Sequence, residues 1–283
     1  MQNRIVASIV LGITLLCISG FGQDKALLTK TITKTDRFDF GAGGTVAITG
    51  APVGSIKVIG SPTNEIEIAA TIEIQAASEA DLAKLASVTT FVTDETPLRT
   101  GIITVSTSNK LGDKKMWKKF PKNLIGLPFR IDYEVKVPKY CDLEIEGGNG
   151  DLSISGVQGS MRINFLETNA HIDVIAGNLM VTVASGTVDV GLGVNGWRAR
   201  PAVIQVGKGD LTVELPSNTS AELDAMILRT GSIENLLPNL KKRDRKVDFT
   251  DRSIIAKAGV GGTALKFTVG DGTLRLKPLV IHH

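Results

Sequence analysis

Apolar and polar residues alternate along most of this chain. Leu143 and Ile145, Leu152 and Ile154, Met161 and Ile163, and Ile172 and Val174 share one parity, with Glu144, Ser153, Arg162 and Asp173 between them. The rhythm returns at Val188 and Val190, at Leu211, Val213 and Leu215, at Leu265 and Phe267, and at Leu274 and Leu276. A period of two with one polar side predicts half-buried strands.

Most of these strands follow the same opening of a glycine, a small or polar residue and an apolar one. It reads GDLSI at Gly150, GSMRI at Gly159, GNLMV at Gly177, GTVDV at Gly186, GDLTV at Gly209, GSIEN at Gly231, GTALKF at Gly262 and GTLRL at Gly272, with GTVAI at Gly44 and GSIKV at Gly54 upstream. The spacing clusters near multiples of nine to eleven. A unit of that size holds a strand of about five residues and a turn of about four, and two or three units would make one coil of a solenoid. An antiparallel sandwich could share the spacing, but recurrence of the same opening favours stacked, equivalent corners. One segment breaks the pattern. SEADLAKLAS, Ser78 to Ser87, has Ser78 as an N-cap, an acidic first turn and an apolar face, predicting a short helix near residues 79–87 that covers a strand edge or caps the stack.

Composition agrees with an all-β chain. Among 283 residues there are 30 glycines and only 5% aromatics, which suits short strands and tight turns, while 42% hydrophobic residues suffice for a large core. A net charge of +3 does not by itself point to nucleic acid. At the start, Arg4, an apolar run from Ile5 to Ile18 and the small residues Gly20 to Gly22 read as a secretory signal peptide over 1–22. An uncleaved anchor needs a longer run, and a lipidated Cys17 would follow a bulky Leu16. The expected organisation is a signal peptide at 1–22, a linker at 23–34 and one domain at 35–281 with a basic loop insertion at 110–128. The expected location is exported: periplasm, cell surface or extracellular space. The mature chain would keep Cys141 alone, leaving no intramolecular disulfide, and would have no transmembrane helix.

The stretches GTVAITGAPVGSIKVIG, YEVKVPKYCDLEIEGGNGDLSISGVQGS and GGTALKFTVGDGTLRLKP, with the short helix between the first two, resemble the bacterial "putative adhesin" family of unknown function. The likeness covers about residues 35 to 279. It implies a right-handed β-solenoid and an envelope location, acting by binding or as a structural component. It brings no established activity and no catalytic residues. NGD is eroded here to TNAH at 168–171 and to ASGT at 184–187, and the loop from Lys110 to Pro128 is longer than the pattern needs.

Several motifs tempt a chemical reading. GLGVNG, Gly191 to Gly196, has dinucleotide-loop spacing but is followed by WRARPA, with no helix signal. GGNGDL, Gly147 to Leu152, lacks the Asp of the calcium nonapeptide. The three histidines, His171, His282 and His283, are poorly spaced for zinc, so no metal or cofactor is expected. Cys141 shares the parity of Leu143 and Ile145 and reads as core. Asp151, Asp173, Asp189 and Asp210 could form an acidic ladder on stacked strands, which carries the alternative reading of a carbohydrate-active β-helix enzyme.

The most distinctive surface segment is KLGDKKMWKKFPK, Lys110 to Lys122. Its candidate binding residues are Lys114, Lys115, Trp117, Lys118, Lys119 and Phe120, for an anionic envelope polymer or lipid headgroups and not for nucleic acid. A second basic run, KKRDRK at 241–246, lacks aromatics. Either could instead be a solvated loop.

Overall fold

A computed structural model describes residues 27–41, 43–96, 98–111, 114–193, 200–238 and 240–279. The expected signal peptide, Cys17 and the tail end of GLGVNG lie outside the described residues. In chain order come β1 (Leu28–Asp39), β2 (Thr45–Thr49), β3 (Ile56–Ser61), β4 (Glu65–Ala76), α1 (Glu79–Ala86), β5 (Thr90–Glu95) and β6 (Arg99–Val105). Then follow α2 (Lys114–Lys119), β7 (Phe129–Pro138), β8 (Asp142–Asn149), β9 (Leu152–Ser155), β10 (Met161–Val174), β11 (Leu179–Leu192) and β12 (Ala202–Leu215). β13 (Ala221–Asn235), β14 (Lys241–Lys242), β15 (Ser253–Ala258) and β16 (Thr263–Pro278) complete the series. All sixteen strands belong to one large mixed sheet that does not close.

The middle of the molecule is a stack of parallel rungs. Met161 stands opposite Leu143 on one side and Leu179 on the other, so each rung advances 18 residues, or two nine-residue units. β10 pairs with β8 through its first half and with β9 through its second. The units therefore fuse in pairs into strands of 14 residues, longer than the five expected. The inward parity reveals the corner inside each strand. In β10 it is odd at Met161, Ile163 and Phe165, then even at Thr168, Ala170, Ile172 and Val174.

Side chains stack in register across the rungs. Ile48, Ile145, Ile163, Val181, Ile204, Phe267 and Ala225 form one continuous buried ladder. Each large apolar member contributes about 1.5–3 kcal/mol by leaving water. The bulky Phe267 ring falls opposite small Ala225, which keeps that layer filled without crowding.

The corner column explains the glycine periodicity. Gly186 (φ +125°) and Gly209 (φ +126°) lie in successive rungs, and a Cβ on Gly209 would fall 1.9 Å from the Gly186 carbonyl oxygen. Thr168 occupies the corresponding position in β10, opposite Gly186. Among described non-glycine residues only Lys110 has positive φ, so Thr168 keeps an ordinary backbone. That is why the eroded TNAH unit still fits, whereas ASGT retains its essential glycine.

The flanks depart from simple winding. β7 lies between β3 and β4, and β16 lies between β12 and β13, so twice a later strand inserts between two earlier ones. Antiparallel pairs β1/β4, β4/β7, β5/β6, β13/β15 and β14/β15 finish the ends. The expected linker over 23–34 is corrected from Leu28 onward. Those residues form β1, because Leu28, Ile32 and Phe38 alternate inward and pack on the core. The helix begins as expected, with the Ser78 side chain accepting from the Asp81 N–H. It packs Leu82 and Leu85 beside β4 and β1.

Candidate functional site

The basic insertion is a built structure anchored at both ends, not the plain loop expected over 110–128. At its start, Asn109 donates from Nδ2 to the Thr104 carbonyl at 2.6 Å and accepts from the Ser106 N–H at 3.1 Å. At its far end a 3-10 turn, Lys122–Leu124, drives Leu124 into the core, where it is 1% exposed. Between them, α2 is held by its aromatic pair. Trp117 donates from Nε1 to the Leu111 carbonyl at 3.0 Å, and its ring meets Phe120 at 5.4 Å. Phe120 packs in turn against the hydrophobic core.

The six sequence candidates thus divide by role. At about 100° per residue, Lys114, Lys118, Lys115 and Lys119 fall at roughly 0°, 40°, 100° and 140° around α2, while Trp117 falls near 300°. All four lysines are exposed, and Trp117 and Phe120 are half-buried. The aromatics hold the helix and the lysines form its outer face. Two like-charged i,i+4 pairs, Lys114/Lys118 and Lys115/Lys119, each disfavour an isolated helix by about 0.2–0.5 kcal/mol. An anion laid along this face would relieve that repulsion.

The second basic run is arranged differently. Lys242 pairs with Asp248, and Arg243 reaches Asp224 at 2.7 Å and Glu222 at 3.4 Å. These charges are spent within the protein, and Lys242 holds the Asp248 carboxyl below its usual range.

The acidic ladder does not form. Asp151, Asn169, Thr187 and Asp210 share one column, so its two carboxylates are separated by two rungs, roughly 14 Å. Asp189 lies in a second column opposite His171 and Thr212, and Asp173 in a third opposite Gly191. Asp210 is further committed to Arg275 at 3.1 Å and to the Thr273 N–H at 3.0 Å. Parity alone placed these carboxylates on the outward side; the columns depended on where each corner fell.

Cys141 is buried, as its parity implied, and burial with Asp142 beside it pushes its thiol up to about 12. His171 is exposed, 3.6 Å from Asp173. Of GLGVNG, Gly191 ends up within β11 and Gly193 just past it. Among the described residues no three His, Cys, Asp or Glu side chains are grouped to hold a metal ion, and no helix is long and apolar enough to cross a membrane.

Sequence reading missed one feature, a shallow trough of about 670 Å³ on β1, β4 and β7. Its walls carry Arg37, paired with Glu65 and 3.7 Å from Glu67, and Lys136, 2.9 Å from Glu67. Ala69 lines it between Thr35 and Glu134. The alternating charges of "NEIEIAA" and "TDRFD" are its only trace in the chain.

Fold and site together describe an all-β protein with a rigid stack and one anchored cationic appendage. No family model matches the chain, and no curated protein matches it in sequence. Among solved structures it is similar to a "putative cell adhesion protein" from Clostridium sporogenes ATCC 15579, at 14% identity and TM-score 0.43, covering 87% of this chain and 100% of that one. It is also similar to a "putative adhesin" from Bacteroides fragilis NCTC 9343, at 12% identity and TM-score 0.33, covering 86% and 96%. A third, a "putative adhesin" from Parabacteroides merdae ATCC 43184, has 10% identity and TM-score 0.24, covering 86% and 95%. At these scores the likeness assigns neither ligand nor site to this chain.

Proposed function

We propose that the protein is an exported, adhesin-like β-solenoid that docks on anionic envelope surfaces through α2. The 18-residue advance per rung supports the solenoid reading, and parallel crossovers are overwhelmingly right-handed. The apolar leader expected over 1–22 supports export. One observation carries the binding reading: four lysines share a 140° arc of α2 while Trp117 and Phe120 fasten the helix behind them. The basic run at 241–246, matched by its own acidic partners, shows what a basic segment committed to internal pairing looks like.

Binding through such a face is electrostatic and weakens with salt, since exposed charges are screened beyond about 8 Å at physiological ionic strength. The test is sedimentation with anionic vesicles and, separately, with an acidic polysaccharide. Wild type is compared with a variant changing Lys114, Lys115, Lys118 and Lys119 to Gln. At about 1 kcal/mol per lysine, the variant loses roughly a thousandfold in affinity. The arm that responds distinguishes lipid headgroup from polymer. Equal binding by wild type and variant, or no binding by either at low salt, overturns the reading.

A further inference from the structure

β1 leaves one long side of the sheet open. It pairs only with β4, over all 12 of its residues. Just past the strand, the Phe40 N–H donates to the Asn64 carbonyl at 2.9 Å. Antiparallel geometry alternates the direction of backbone groups, so those of Thr29, Thr31, Thr33, Thr35 and Arg37 point away from β4. The Arg37 N–H shows this directly, because it turns to the Asp36 carboxylate at 2.9 Å. The opposite end is guarded: β14 has only two residues, and the Ile233 N–H is taken by the Asp251 carbonyl at 2.6 Å.

An open edge of this length is ordinarily blunted by proline, a bulge or an inward charge. β1 has no proline and pairs with β4 without a register shift. Its inward parity does carry charge, reading Leu28, Lys30, Ile32, Lys34, Asp36 and Phe38. Lys34 is committed internally, with Nζ bonded to the Phe91 carbonyl at 2.7 Å and to Thr90 Oγ1 at 3.1 Å. Lys30 and Asp36 have no ion pair among the described residues. Inward charges repel most incoming strands and admit one that matches them.

We propose that this edge pairs with a second copy of the chain, β1 against β1 antiparallel, about a two-fold axis through Thr33. In that register Lys30 faces the partner's Asp36, Leu28 faces the partner's Phe38, and Ile32 faces the partner's Lys34. On the outer side Thr31 faces the partner's Thr35. Neighbouring registers fail on charge. Centring on Ile32 sets Lys30 against Lys34, and centring on Lys34 sets it against its own copy. A slip that mixes the parities puts the inward set of one strand beside the outward set of the other. The contact is isologous and closes as a dimer, which removes the edge without propagating it. This inference is independent of the role of α2.

The experiment is light scattering of the purified exported protein across a dilution series, with edge variants. Wild type should show twice the single-chain mass at the concentrated end. Thr33→Pro should give single chains with an unchanged strand signal, because that N–H faces the open edge and not β4. Lys30→Asp should shift the mass toward single chains, and adding Asp36→Lys should restore the dimer. Under mild oxidation Thr33→Cys should cross-link, since the two residues meet at about 5.5 Å between Cα atoms. Thr31→Cys should not, because its own copy lies four residues along the strand, about 13 Å away and beyond disulfide reach. Single-chain mass at every concentration overturns the proposal. So does a dimer that survives Thr33→Pro, or cross-linking as efficient at Thr31 as at Thr33.

Discussion

The rungs β10, β11 and β12 and the strands that flank them solve the same burial problem in different ways. In the rungs, neighbours in space are neighbours in the chain, and each strand repeats the corner of the last. In the flanks, β7 and β16 each slip between two strands made earlier, and most of the outermost pairings turn antiparallel. A parallel rung can copy itself indefinitely but always leaves an edge. The flanks give up repetition in order to end the sheet. They also carry what is individual to this chain: α1, the basic helix α2 and the open edge of β1. Insertion of later strands makes completion of the core depend on distant segments, which slows folding relative to a stack of local contacts.

Three measurements would break or sharpen this contrast. The largest effect should come from the corner column. Gly209→Ala combines a left-handed backbone, costing about 1–2 kcal/mol, with overpacking against the Gly186 carbonyl, costing about 1–3 kcal/mol more. Gly126, in the flank, also has positive φ (+88°), but a Cβ there meets nothing within 4 Å. Gly126→Ala should therefore show the backbone cost alone. Denaturant midpoints of the two variants read the difference, and equal losses would mean that the rungs do not stack through their corners.

Next comes parity within a rung. Ile154 is fully buried, and Ile154→Asp places an unpaired carboxylate in the core or forces its protonation, at a cost of several kcal/mol. Ser153→Asp, one residue away on the outer side opposite Lys57 and His171, should stay within about 0.5 kcal/mol of wild type. Comparable drops in melting temperature would contradict the alternation of buried and outward positions.

The smallest effect concerns the inserted strand β16. Asp271 bonds Arg229 and the Thr230 hydroxyl at 2.8 Å each, joining β16 to β13 at their shared corner. These bonds hold its carboxyl at about 2, below the ordinary 3.8. A depressed carboxylate contributes stability above its unfolded value and loses it as pH falls toward the folded one. Acid titration of stability should therefore be shallower in Asp271→Asn between about pH 4 and 2, with the two proteins converging at the acid end. A parallel pair of curves would show that this contact does not distinguish the inserted rung.

Much of the stack was legible because a strand writes its faces into the chain with a period of two. The inward sets at Leu143/Ile145, Met161/Ile163 and Leu211/Val213 needed nothing else. The helix at 79–87 was legible from Ser78 and its acidic first turn, and Cys141 from its parity. The glycine openings were visible as one class, yet they occupy two different corners. Gly186 and Gly209 sit inside continuous strands, while Gly159 and Gly177 precede the first halves of β10 and β11. Only the carbonyl lying 1.9 Å from an added Cβ separates the first kind from an ordinary turn.

By itself, then, the sequence determined local quantities: strand faces, helix start, turn positions and a dense basic segment. These depend on residues within a few positions of one another, where sterics and burial act directly. Which strands became neighbours was decided by tertiary structure. Short apolar strands of similar pattern can pair in many orders, and the choice of β7 between β3 and β4, or β16 between β12 and β13, rests on long-range packing. The same holds for the site. The lysines of α2 could be counted in the chain, but their common arc required the Trp117–Leu111 bond, the Phe120 contact and Leu124 in the core. The scattered aspartates shared a parity and still fell into three columns, because a column is set by register, and register is a property of the assembled sheet.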